Sequence, residues 1–384
     1  MPPAVEPVLQ PDSQSSELIL AVATPVEHVQ TAQLNVEEWK GSLTTEQYLH
    51  REAALHSTDL TRNGGITCWI LTSESLPTNA DGTRPIFASC ESILYHADVV
   101  RNGILEQVRA HGIGTVYTRA EYRGKGYAGR MMADLGPKLE TWQQVPDVKN
   151  AFSVLFSDIG PSYYARFGWK VFPSNHIHLP PLDENSYGIS RMKLPAVEDL
   201  SASDLPGIPA VDYLQHELRK KSRADPDTVY LAIRPTIEHF AWHHAREEFI
   251  CSSLERRAPT IKGALHRATG IVLVWNRVFA ESQKDWQLQI LQTVIPPDAQ
   301  NLAEANQAMA ALLLRAQFEA HQSGMLAGVQ VWDPPNLVMS SVSEILQGPV
   351  NLIERHKESI CCLRWSGEHD DKLMWISKQK YTWC

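Results

Sequence analysis

The sequence predicts an α+β fold built on a mixed α/β sheet and divided into two lobes. Three observations predict it. The chain has 384 residues, more than one ordinary domain. Apolar residues make up 43% and charged residues 21%, so a substantial core can be buried. Short apolar runs alternate with longer helical stretches, and the order strand, strand, long helix, strand occurs in both halves.

Residues 1–16, rich in Pro, Ser and Gln, read as a flexible N-terminal arm. Glu17 to Thr24 is the first strand, and Thr24-Pro25 opens a helix, with proline at the first helical position. Helices are expected over 26–40 and 44–56. Strands are expected over 66–71 and 86–96, with the turn Asn79-Ala-Asp-Gly82 between them. A strand near 112–118, a long helix over 127–142, a strand over 151–157 and a helix over 161–167 complete the first part. Residues 181–225, with Pro, Asp and Ser in excess, read as a linker. A C-terminal α+β domain follows over 226–384. Its strands are expected at 228–233, 270–275, 286–291 and 326–332, and its helices at 238–254 and 301–322.

The stretch Ile113 to Met132 carries the strongest functional signal. Gly124, Gly126 and Gly129 permit a tight turn between strand and helix and a close backbone approach to a ligand. The orphan N–H groups at the helix start, near Tyr127, favour an anion, and Arg123 and Lys125 add positive charge there. The physical reading is a pyrophosphate cradle. Gly124-x-Gly126-x-x-Gly129 fits a dinucleotide pattern, but the next helix and strand end in Asp158, further from the glycines than the ribose-binding acid should be.

The same turn matches, as Arg123-x-x-Gly126-x-Ala128, the acyl-CoA signature of the GNAT acetyltransferase superfamily. Downstream, the strand Ala151 to Phe156 leads to Tyr164-Ala-Arg-Phe-Gly168-Trp169, similar to the Tyr-x-x-x-Gly-aromatic element of that superfamily. Ser157 departs from the asparagine often found after that strand. Two ordered motifs at matching spacing identify residues 17–180 as resembling a GNAT domain, which implies a GNAT acyl-CoA N-acyltransferase fold. The resemblance implies acetyl-CoA as co-substrate, held by the Arg123, Gly124, Lys125, Gly126, Tyr127 and Ala128 turn and by the backbone of Val116, Tyr117 and Thr118. It implies Tyr164 as the acid that protonates the leaving thiolate; Tyr163 is expected to face away. In the second half the corresponding turn, Ile295 to Gln300, has neither glycine nor a basic residue. Residues 226–384 are then either a degenerate GNAT-like lobe that does not hold CoA or an unrelated α+β lid.

The proton acceptor is read from the residues themselves. Glu91 interrupts an apolar strand, where a carboxylate is costly unless paired or functional, and is the first choice for a catalytic base. Asp98, Glu106 and Glu121 are the other candidates. His239, His243 and His244 share a predicted helix, but no third ligand accompanies them and no metal is expected.

The whole chain resembles the fungal lysine acetyltransferases, which implies an amine acceptor, most specifically the ε-amine of free L-lysine. A polyamine, an aminoglycoside or a protein lysine is the alternative acceptor, and a non-catalytic acyl-CoA-binding regulatory module the alternative role. The resemblance also raises the terminal carboxylate as a group entering the site. The second half is expected to close the pocket, with Glu368, Asp370, Asp371 and Trp383 available to contact the substrate.

Net charge is −9, which disfavours nucleic acid as a partner. No apolar stretch reaches the roughly 18 residues of a membrane span. The N-terminus lacks signal-peptide features, and the six cysteines show no metal spacing. A cytoplasmic location is expected, and the oligomeric state is left open.

Overall fold

The protein is described from a computed structural model covering residues 10–299, 303–344 and 351–383. Residues 1–9 of the expected arm and the terminal carboxylate of Cys384 lie outside the described residues.

The first half runs β1 (Leu18–Val22), α1 (Pro25–Trp39), α2 (Thr45–Leu55), β2 (Ile66–Ser73), β3 (Ala88–Arg101), β4 (Ile104–Thr118), α3 (Tyr127–Thr141), β5 (Asn150–Ser157) and β6 (Lys170–Val171). It continues with β7 (Asn175–Leu179), α4 (Glu184–Arg191), β8 (Glu198–Leu200) and α5 (Ala210–Ala224). The second half holds β9 (Thr228–Ile233), α6 (Ile237–Ser253), β10 (Gly263–His266), β11 (Ile271–Val278), β12 (Gln287–Val294), α7 (Ala305–Gln322) and β13 (Val329–Trp332). It closes with α8 (Asn336–Glu344), β14 (Ile353–Glu354), β15 (Ile360–Trp365) and β16 (Lys372–Trp375).

Local chemistry sets the entries to the helices. Thr24 caps α1 and Thr44 caps α2, each in a reciprocal box with Glu27 or Gln47. Glu27 also binds Arg84, so this cap ties α1 to the loop before β3; the Arg84 hydrogen bonds hold the Glu27 carboxyl at about 2. Gly126 caps α3 differently, at φ +89° and with no side-chain acceptor.

Two sheets form. The first follows the order β1-β2-β3-β4-β5-β15-β6, with β9 paired to β3 and β16 to β9. The second follows β14-β7-β13-β12-β11-β10-β8. In each sheet a parallel pair is joined through the long helix: β4 with β5 across α3, and β12 with β13 across α7. The second half is therefore a GNAT-like lobe with the same strand order around its helix as the first.

The lobes are interlocked. β9, β15 and β16 come from the second half but complete the first sheet, while β7 and β8 come from earlier in the chain and complete the second. Residues 181–225, expected as a linker, form α4, β8 and α5. A shared core lies between the sheets, where Tyr95, Phe152 and Val154 meet Val272, Leu291 and Trp375. Outside it, Met131, Met132 and Leu135 of α3 cover the first sheet, and Met309, Leu312 and Leu313 of α7 cover the second.

Asp98, one of the candidates for the proton acceptor, is a structural strut. It is fully buried in β3 and accepts from Arg234 at 2.6 and 3.0 Å and from Gln215 at 3.0 Å. Among the described residues no helix is long and apolar enough to cross a membrane.

Candidate active site

The first sheet opens between β4 and β5. Their parallel pairing ends at Ile113 opposite Leu155, although β4 continues to Thr118 and β5 to Ser157. A register shift in the β3–β4 ladder between Ser89 and Glu91 bends β4 at this point. Thr115 takes φ +53° there, an uncommon conformation for a β-branched residue. The edge of β4 from Gly114 to Thr118 is turned away from β5, and the hydroxyl of Thr118 is buried without a protein partner among the described residues.

A cavity of about 570 Å³ fills this opening. Glu91, Gly114 to Thr118, Tyr163 and Tyr164 line it from the first sheet and its loops. His56 and other residues of α2 line it from above, and Trp242, Arg246 and Trp383 from the second half. Sites of this size and partly apolar lining suit small ligands.

Beyond the lining residue Arg123 lies the glycine turn. Gly124 and Gly126 sit at φ +79° and +89°, as the left-handed turn requires. The first hydrogen bond of α3 runs from Arg130 N–H to Gly126 C=O. Among the described residues, the N–H groups of Tyr127, Ala128 and Gly129 meet no acceptor, which leaves an anion site at the helix start. These residues fit a pyrophosphate.

The flanking side chains are placed less simply than the motif implies. Arg123 pairs with Glu38 of α1 and lies over Tyr117. The Tyr127 hydroxyl donates to Pro11 C=O at 2.7 Å, and its ring stacks on Phe87. Lys125 donates to Gln10 at 3.2 Å, and Arg130 to the carbonyls of Ser13, Ser15 and Leu18. The described part of the expected mobile arm, residues 10–16, is thus fastened across the start of α3. A Cβ at Gly126 would lie 2.7 Å from Ser13 Oγ.

The cavity wall around Glu91 is polar. Glu91 Oε1 meets Nε2 of both His28 and His56 at 3.3 Å, and Thr115 donates to Oε2. The two imidazoles stack with centroids 4.3 Å apart. Burial would raise the Glu91 carboxyl, but the bonds from His28, His56 and Thr115 outweigh it and hold the group well below the usual carboxylate range. Burial works against a charged His56, yet the Glu91 carboxylate prevails and raises the ring's pKa. His56 stands at the C-terminal end of α2, where the helix dipole also favours a cation. Cys68 Sγ, His28 and Glu91 have ligand atoms within 4.8 Å of one another, a spacing that can hold a metal ion.

Tyr164, in a short 3-10 helix (Tyr164–Phe167), is buried against the cavity wall. Burial, reinforced by Tyr163, pushes its phenol up, so it is protonated at neutral pH. Tyr163, expected to face away, lines the same cavity.

The remaining sequence candidates lie elsewhere. Glu106 pairs with Lys149 and Glu121 with Arg119, both on the surface. His239 contacts Thr236, and His244 binds the carbonyl of Trp275, so these histidines are packing residues of α6. Asp371 pairs with Arg101 and Trp365, and Asp370 is exposed beside His369. Of the expected C-terminal contacts, Trp383 alone lines the cavity. Sequence reasoning missed His28, His56 and Arg246; the spacing of Tyr48, Arg51, Glu52, Leu55 and His56 along one face of α2 was the available signal.

Residues 176–384 match the family described as LYC1 GNAT-like C-terminal domain, and residues 89–172 match an acetyltransferase (GNAT) domain. An uncharacterized protein of Saccharomyces cerevisiae is 26% identical over 254 residues, 58% of this chain and 62% of its own length. A lysine acetyltransferase of Yarrowia lipolytica is 32% identical over 163 residues, 38% of this chain and 39% of its own. The matched stretches thus span less than two thirds of either curated relative. A solved GCN5-related N-acetyltransferase from Kribbella flavida aligns over 91% of this chain and 72% of its own, at 15% identity and TM-score 0.49.

Proposed function

The chain belongs to the family of the LYC1 GNAT-like C-terminal domain, and from that footing we propose that it transfers an acetyl group from acetyl-CoA to the ε-amine of free L-lysine. One observation carries the reading. A single cavity in the parted sheet brings Glu91 and His56 of an ionised carboxylate–histidine cluster together with a buried tyrosine and with Arg123, which opens the glycine turn.

Acetyl-CoA supplies the acyl group as a thioester. The chain's part is to bind it, orient the amine and move two protons. The helix start at Tyr127, Ala128 and Gly129 holds the pyrophosphate, with Arg123, Gly124, Lys125 and Gly126 shaping the turn. The unpaired edge of Val116, Tyr117 and Thr118 offers backbone groups to the rest of the molecule and to the thioester carbonyl.

Lysine's ε-ammonium must lose a proton before it can attack. Glu91 is the carboxylate of the proton-accepting cluster, and His56, which lines the cavity, presents the cluster to the amine. Glu91 fixes the ring and stabilises the imidazolium that forms, a role suited to a group held ionised. Tyr164 stays protonated and donates to the sulfur that leaves.

Free lysine as acceptor is supported by the likeness to the Yarrowia lipolytica lysine acetyltransferase and by the aromatic closure of the cavity with Trp242 and Trp383. A CoA-release assay across lysine, ornithine, spermidine and a histone-tail peptide tests it. Lysine should give the highest kcat/KM; preference for spermidine or the peptide discards lysine, and no release with any amine discards acetyl transfer.

A further inference from the structure

Arg246 of α6 lines the acceptor side of the cavity, in a part-buried position, and meets no carboxylate within ion-pair distance among the described residues. Its neighbours leave its charge uncancelled. Arg51 is close enough to repel it, and Glu52, which attracts it, is engaged by Arg51 at 2.6 Å. Burial and then Arg51 lower the Arg246 guanidinium to about 10, so it remains a cation at neutral pH. Its side chain lies 5.6 Å from the ring centre of Trp383, which holds it towards the cavity wall. A part-buried guanidinium in a cavity wall, with no anionic partner among the described residues, favours a ligand that supplies one, and its planar fork suits a carboxylate.

Arg246, His56 and Glu91 line one cavity. An extended lysine spans about 7–8 Å from its carboxylate carbon to its ε-nitrogen, six staggered bonds. The wall between is largely apolar, with Leu55, Ile93 and Trp242 available to cover four methylenes.

We propose that Arg246 is the specificity-determining residue that binds the α-carboxylate of the acceptor amino acid and so aims its terminal amine at Glu91 and His56. The second lobe then selects the substrate while the first performs the transfer. This rests on the acetyl-transfer reading above.

The test compares L-lysine with its decarboxylated analogue, 1,5-diaminopentane, in the full-length wild type, Arg246→Gln and Arg246→Lys. The wild type should prefer lysine. Arg246→Gln should lower the kcat/KM ratio of lysine to diaminopentane by on the order of 10- to 100-fold, the scale of a hydrogen bond to a charged group. The change should come through the KM for lysine, with part of the preference restored in Arg246→Lys. An equal loss on both amines returns Arg246 to a structural role, and a rise confined to the KM for acetyl-CoA reassigns it to the co-substrate. A wild type that acetylates amines without preferring the carboxylate overturns this inference alone. A wild type that releases no CoA with either overturns the acetyl-transfer reading with it.

Discussion

In the first sheet β4 parts from β5 beyond Ile113, and a cavity follows. In the second, the β12–β13 pairing ends at Ile290 opposite Val331, and the chain's own tail lies there instead. Thr293 N–H donates to Gln379 Oε1 at 2.6 Å, and Lys378 N–H to Asp333 at 2.9 Å. Lys380 sits 4.4 Å from the centre of the Trp332 ring. The two lobes share strand order and helix, so the architecture alone does not make a binding site. What separates them is whether the freed strand edge is left for a ligand or satisfied internally, and whether the turn into the helix carries glycines or, as at Pro296-Pro297, prolines.

The contrast can be broken at several points. The largest effect is expected at the acid: Tyr164→Phe should lower kcat by about 10²- to 10⁴-fold with little change in the KM for acetyl-CoA. Near-normal kcat would leave Tyr164 as a packing residue.

Next is the glycine turn. Gly126→Val combines a strained φ with a clash against Ser13, so the mutant should lose the stabilisation that CoA gives, about 2.7 kcal/mol at a hundredfold excess over Kd. Thermal melts with and without CoA read this directly, and an undiminished shift removes the pyrophosphate assignment. Calorimetric titration of the wild type should give one CoA per chain; two would mean that the filled lobe also binds.

Emptying the second split should cost less. Gln379→Ala leaves the buried Thr293 N–H without its acceptor and should destabilise the protein by about 1–3 kcal/mol in denaturant melts. No change in the midpoint would show that the tail does not fasten the second lobe.

The smallest effect is on pH. His56 has a raised pKa, so its neutral, proton-accepting form gains population only above the ordinary histidine range of about 6.5. Above that range kcat/KM should therefore rise with pH. Stability moves the other way: the His56–Glu91 attraction is fully present below the unfolded histidine pKa and fades as pH rises through the folded one. The Glu91 contribution has the opposite sense, present above the unfolded carboxylate value of about 4.3 and lost only in strong acid. Activity and melting temperature rising together would contradict this assignment of His56.

The sequence announced what is local. The glycine turn, the capped entries of α1 and α2, Glu91 within an apolar strand and Tyr164 before Gly168 each carry their signal within a few residues. What it hid is contact between distant segments. Nothing in Ile360-Cys-Cys-Leu-Arg-Trp365 says that it pairs with β5, nor does any spacing join His28 and His56 to Glu91. Asp98 shows the same limit in reverse: an acid in a strand looked available for chemistry until Arg234, far along the chain, occupied it. Tyr163 was misdirected because neighbours in a 3-10 turn need not face opposite ways, as they do in a strand.

The insertion of β15 between β5 and β6 bears on how the polypeptide is made. β5 leaves the ribosome roughly 200 residues before its partner, an interval of roughly 10–40 s at synthesis rates of about 5–20 residues per second. Throughout that time one edge of the first sheet is uncovered, and β6 has no strand to join. Exposed edges of this kind invite pairing with other chains. The edge of β5 therefore stays unpaired until Ile360–Trp365 is translated, and premature termination anywhere before Ile360 should yield aggregates in place of a smaller working enzyme.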